Sequence, residues 1–117
     1  MVTTAHEPLA LLVILTVSRA RLEDFRAFER RAARIMRRYG GAIERTLVFP
    51  LDDLDQLKEV HVVSFPSAQA FDDYRADSEL ARLAPVRERA IVSTEIWTGR
   101  NGPEYMAELR AGATLAR

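Results

Sequence analysis

From Leu9 to Val17 the chain reads Leu-Ala-Leu-Leu-Val-Ile-Leu-Thr-Val, and neither alternate set of positions turns polar before Thr16. A strand with one wet face alternates between apolar and polar residues, whereas a strand covered on both faces does not. This run, bounded by Pro8 and Ser18, therefore predicts a strand buried on both sides. From Leu22 the period changes: Leu22, Phe25, Phe28, Ala32, Ile35 and Tyr39 recur at steps of three and four, with arginines and acids between them. That spacing predicts an amphipathic helix from Leu22 to Tyr39. Ser18 is a candidate cap for its start, and Gly40-Gly41 supplies the left-handed residue that commonly ends a helix.

Alternation returns from Ala42 to Phe49, with Ile43, Leu47 and Phe49 on one side, Glu44 and Thr46 on the other, and Arg45 interrupting the apolar side. This pattern predicts an edge strand. After an acidic loop, Leu57 to Phe65 reads as a strand that stops at Pro66, which has no amide proton to donate to a ladder. Ser67 can cap a second helix carrying Ala70, Phe71 and Tyr74, with a break near Asp77-Ser78 and further turns bearing Leu80 and Leu83. Pro85 to Ala90 closes that region, Ile91 to Thr98 forms a fourth strand, and the stretch from Pro103 allows a short helix with Tyr105, Met106 and Leu109 along one side.

The order βαββαβ is the ferredoxin-like α+β plan, a four-stranded antiparallel sheet with two helices on one face. It accounts for residues 1–99 as one domain and leaves 100–117 as a tail that could pack on the domain or on a partner. In this plan the first and third strands are central; here the first is apolar on both faces, and Val60, Val62 and Val63 keep both faces of the third largely apolar. Something must cover the face that the helices leave bare. A second copy of the chain, packing sheet against sheet, is the expected cover, so a homodimer is the expected assembly.

Composition narrows the chemistry. At 117 residues, 48% hydrophobic and 29% charged, the chain has the make-up of one globular domain. Its 17 basic and 17 acidic side chains cancel, so no global field draws it to nucleic acid or to an anionic membrane. The basic face of the first helix, Arg19 to Arg38, is expected to be solvated, since no nucleic-acid motif accompanies it. Without cysteine there are no disulfides, thiolate nucleophiles or thiolate metal sites, and with only His6 and His61 a histidine-rich metal centre is not expected. Leu9–Val17 is far shorter than the ~20 apolar residues of a membrane helix, and the expected setting is soluble and cytoplasmic. No glycine-rich phosphate cradle, nucleophile elbow or metal-ligand pair at helical spacing occurs, so no cofactor is expected.

Phe65-Pro66-Ser67-Ala68, then Phe71, Tyr74, Asp77-Ser78-Glu79 and Pro85-Val86-Arg87, resemble the dimeric α+β barrel superfamily, with the closest likeness to domain-of-unknown-function family 1330. A more distant likeness is to antibiotic-biosynthesis-monooxygenase-like proteins. The resemblance implies a ferredoxin-like fold, a homodimer and a cleft between sheet and helices. That family often carries a Trp-Tyr pair in the second helix and a tyrosine after the break, where this chain has Asp73-Tyr74 and Leu80. The wider superfamily includes cofactor-independent monooxygenases and isomerases, and a shared fold does not choose among them.

Six residues are candidates for the site. His61 shares one strand face with Glu59, Val63 and Phe65; it can serve as a general base with Glu59 orienting the ring, or simply bond a neighbouring strand. Arg45 and Arg87 offer planar forks suited to a carboxylate, phosphate or enolate oxygen, with ion pairing as the ordinary alternative. Tyr74 could bring a hydroxyl to the cleft. Glu95 and Trp97, expected on the same face as Ile91 and Ser93, could supply a desolvated acid and a stacking surface, or belong to core or interface. Three functional readings follow: a protein that binds a small apolar or aromatic molecule in the cleft, a cofactor-independent monooxygenase or isomerase with His61 and Arg87 in the catalytic roles, and a homodimeric interaction module.

Overall fold

The computed structural model of the chain describes residues 7–111, so His6 and the final six positions lie outside the described residues. Strand β1 (Leu9–Ser18) leads through a single 3₁₀ turn (Arg19–Arg21) into helix α1 (Leu22–Arg37), and β2 (Ala42–Pro50) and β3 (Gln56–Phe65) follow as an antiparallel pair. Three short helices, α2 (Ala68–Arg75), α3 (Ser78–Arg82) and α4 (Ala84–Ala90), precede β4 (Ile91–Gly99), and α5 (Tyr105–Ala111) comes last. The strand order is β2-β3-β1-β4 with every pairing antiparallel. This is the α+β, ferredoxin-like arrangement, and the two doubly apolar runs are its central strands.

The register explains which side chains meet the helices. Leu11, Val13, Leu15 and Val17 of β1 stand opposite Val63, His61, Glu59 and Leu57 of β3. Opposed residues of an antiparallel pair point to the same side of the sheet. This inner face packs on the α1 stripe of Phe25, Phe28, Ala32, Ile35 and Met36, which are all buried. The intervening set, Leu12 and Ile14 opposite Val62 and Val60, faces the other way, where Val62 and Trp97 are exposed.

Three local expectations need correction. Ser18 is the last residue of β1 and makes no side-chain cap; the amide of Arg19 instead donates to the Asp55 carbonyl at 2.8 Å, and α1 starts from Arg21 without a side-chain cap. In β2, Ile43 pairs with Val63 but Arg45 pairs with Val62, so Glu44 is an extra residue and Ile43 does not share a face with Leu47 and Phe49. In β4, Val17 pairs with Ile91 and Thr16 with Ser93, so Val92 is extra and Ile91 parts from Ser93, Glu95 and Trp97. Each is a β-bulge, and one inserted residue turns all later side chains over.

The turns and breaks around the helices follow their residues. Gly40 takes a φ of 75° where α1 ends, and Ser67 accepts the Ala70 amide at 3.1 Å as the cap of α2. Asp77 separates α2 from α3 and caps α3 by accepting the amides of Glu79 at 2.8 Å and Leu80 at 3.1 Å. Its other oxygen accepts from the Tyr39 hydroxyl at 2.6 Å, a bond that holds the Asp77 carboxyl below the ordinary carboxylate range and raises the Tyr39 phenol. The break between helices is thereby fastened to the end of α1.

Gly41 is closed in by the Phe65 ring and the Met36 side chain, so a Cβ there would overlap both. Gly41→Ala should cost about 1–3 kcal/mol, the usual range for an overpacked core. Urea denaturation would show this as a lower midpoint at constant slope; an unchanged midpoint would contradict the packing described here.

Candidate functional site

The α1 stripe and the helices α2 to α4 do not fill the space over the inner sheet face. A cavity of about 360 Å³ remains, with walls that include Val13, Phe28, Val63, Phe65, Phe71 and Tyr74. The volume lies toward the small end of the range for ligand pockets, and the lining is mostly apolar and aromatic, as in such pockets. Small residues make the room: Ala32 on α1, Ala81 on α3 and Ala84 on α4 all line it. Phe65 packs on Phe71 at 5.3 Å and on Tyr74 at 5.5 Å between ring centroids, giving the cavity an aromatic flank.

Its polar groups are few and placed asymmetrically. His61 lines the cavity at 4% exposure, and Glu59, two residues earlier on the same inner face, is similarly buried at 6%. The His61 Nε2 lies 2.7 Å from Glu59 Oε2. A carboxylate can only accept, so the ring donates from Nε2 and turns Nδ1 toward α1. There Glu29 Oε1 stands 3.9 Å from Nδ1, beyond hydrogen-bond range and close enough for a small group to touch both. Burial raises the Glu29 carboxyl to about 6, with the neighbouring Glu59 adding to the rise and His61 and Arg87 opposing it. The cavity thus carries an imidazole held by one acid and facing a second acid that takes up a proton readily.

Tyr74 completes the inner group. Its hydroxyl makes no hydrogen bond among the described residues, and desolvation together with the Glu29 charge raises the phenol well above its usual value. It therefore stays protonated and is available as a donor. Arg87 on α4 lines the cavity from an exposed position and donates to Thr94 Oγ1 at 3.0 Å.

Of the six candidates, His61, Tyr74 and Arg87 converge on this cavity. Arg45, Glu95 and Trp97 do not: they stand opposite Val62, Ile14 and Leu12 on the outer sheet face, where Trp97 Nε1 donates to Glu95 Oε2 at 2.6 Å. The bulges at Glu44 and Val92 put them there, and the β4 bulge brings Thr94 and Ile96 to the cavity instead. Sequence reasoning did not single out Glu29. The signal was its position: it sits four residues after Phe25 and three before Ala32, inside the apolar stripe of α1, where an acid is out of place.

No protein-family model and no curated protein matches the chain. Solved structures do resemble it. A protein of unknown function from Rhodopseudomonas palustris superimposes with a TM-score of 0.71 at 16% identity, covering 84% of this chain and 85% of that one. SnoaB, a cofactor-independent oxygenase from Streptomyces nogalater, gives 0.64 at 18% identity over 83% of this chain and 95% of its own. A candidate antibiotic biosynthesis monooxygenase from Nitrosomonas europaea gives 0.63 at 11% identity over 86% and 95%. The chain therefore shares the α+β fold of these solved structures. At these identities the likeness establishes the fold and does not extend to membership of family 1330.

The raised Glu29 carboxyl makes a stability prediction. Its folded value lies above its unfolded one, so its contribution is fully present below the ordinary carboxylate range and is lost as pH rises through about 6. Glu29→Gln cannot ionise and escapes that loss. The free-energy difference between variant and parent should move in the variant's favour by about 2 kcal/mol between acidic and mildly alkaline solution. Denaturation midpoints across that range measure it, and a constant difference would contradict the burial of Glu29.

Proposed function

We propose that the chain binds a small apolar or aromatic molecule in this cavity and moves a proton on it without a cofactor, as an oxygenase or isomerase of this fold class would. The observation that carries the reading is the 2.7 Å bond between Glu59 and His61, the latter a residue on the wall of a mostly apolar cavity. Nδ1 of His61 is the base, and Glu59 fixes the ring and stabilises its charge once the proton arrives. Tyr74 donates to a ligand oxygen and steadies the negative charge that proton removal leaves on it. The fold shared with a cofactor-independent oxygenase supports this chemistry.

On a substrate that the parent turns over, His61→Ala should lower kcat by a factor of about 10²–10⁴, the usual worth of a positioned acid–base group. Steady-state kinetics provide the check; an unchanged kcat would exclude His61 as the base.

We propose further that the outer sheet face closes on a second copy of the chain. Leu12, Ile14, Leu47, Phe49, Val60, Val62 and Trp97 share that face, with Phe49 47% and Trp97 61% exposed. An apolar sheet surface of this kind needs a cover in water, and a twofold sheet-to-sheet contact covers both copies at once. In this reading Arg45, Glu95 and Trp97 belong to the interface. Val62→Asp should shift the protein toward monomer in sedimentation velocity or unfold it, since a carboxylate would then be buried without a partner. A parent that sediments as a monomer, or a variant dimer as tight as the parent's, would refute the interface.

A further inference from the structure

The charged groups around the cavity are sorted by depth. The acid on its wall, Glu29, belongs to its inner part with a side-chain exposure of 18%, and Glu59, bonded to the wall residue His61, is more buried still at 8%. The two cations on its wall, Arg75 on α2 and Arg87 on α4, are both exposed and so belong to its mouth. Between these levels the walls are apolar and aromatic. From this arrangement, and resting on the reading of the cavity as a binding site, we infer that the ligand is an amphiphilic anion: an apolar or aromatic body that enters the cavity, ending in a carboxylate or equivalent group held at the mouth by Arg75 and Arg87.

Both arginines are free to do this. Arg87 bonds only the neutral hydroxyl of Thr94 among the described residues and forms no salt bridge there, which leaves most of its guanidinium donors unused. Arg75 is held over the Phe71 ring at 4.5 Å, and Phe71 is itself part of the cavity wall. Its one acidic partner among the described residues is Asp72 at 2.8 Å, with both side chains more than half exposed. A pair so open to water contributes little and gives way readily to a better-shielded carboxylate. Guanidinium forks match carboxylate geometry, so two of them at one mouth favour an anionic end over a hydroxyl. Glu29 sets the direction of entry: its charge repels an anion from the inner end, so the neutral part of the ligand is what reaches His61.

Two probes of the same ring system test this on the full chain at neutral pH: 2-naphthoate and 2-naphthol, titrated by calorimetry, with NMR of the His61 ring reporting occupancy of the cavity. The naphthoate should bind more tightly. Arg87→Gln and Arg75→Gln should each weaken it by about tenfold, the worth of a charge-assisted hydrogen bond, and leave naphthol within about twofold. If naphthol binds as tightly as naphthoate or more so, or if the naphthoate preference survives both substitutions, the anionic end is wrong while the cavity stands as a binding site. If neither probe binds, or naphthoate binds without disturbing His61, this inference falls; if neither binds, the small-molecule reading is contradicted as well.

Discussion

Glu59 and His61 take consecutive inward positions of a central strand, where the neighbouring inward residues are Leu57, Val63 and Phe65. Ionisable groups there cost free energy that a pair of apolar side chains would not, and breaking such a pair by removing one partner is more costly still. The arrangement holds because the two satisfy each other at 2.7 Å while the ladder through Leu15 and Val13 of β1 fixes their spacing. Everything around the cavity is set against this pair. The α1 helix contributes apolar surface on either side and Glu29 opposite the ring, and alanines on α3 and α4 keep the space in front of it open.

The sheet thereby has two faces with different work. The inner face carries the acid–histidine pair, the aromatic flank and the cavity. On the outer face lie apolar side chains and the Trp97–Glu95 pair, with no layer of the described residues over them. The division depends on the two bulges, which send Arg45, Glu95 and Trp97 outward and bring Thr94 and Ile96 inward. Charge around the cavity follows the same division, with the half-buried acid Glu29 and the exposed arginines Arg75 and Arg87 on its wall.

Much of the architecture was legible from periodicity. The unbroken apolar run of β1 marks a central strand, the three- and four-residue spacing of α1 marks a helix, and Pro66-Ser67 marks the passage from β3 to α2. His61 could be placed beside Glu59 by simple alternation, because β3 has no bulge against β1. The faces of β2 and β4 could not be read so directly: a bulge inserts one residue without any loud change in composition, and alternation counted through it lands on the wrong side. That is why three of the six candidates lie outside the cavity. Glu29 was hidden for a different reason: on a helix rich in exposed charge its inward position shows only against the exact phase of the apolar stripe. Ser18 looked like a cap by residue type, yet the ladder of β1 runs through it and a backbone bond from Arg19 takes over.

The central claim is that His61 presents Nδ1 to a space that a ligand occupies. A crystal structure of the protein as purified, followed by one soaked with an aromatic carboxylate, tests it most directly. Density is expected in the cavity, with the apolar body of the ligand against the Nδ1 edge of the His61 ring and the Glu59 bond retained. A cavity closed by its own side chains, with the His61 ring turned away to a backbone partner, would contradict it and make the histidine a structural residue of the sheet.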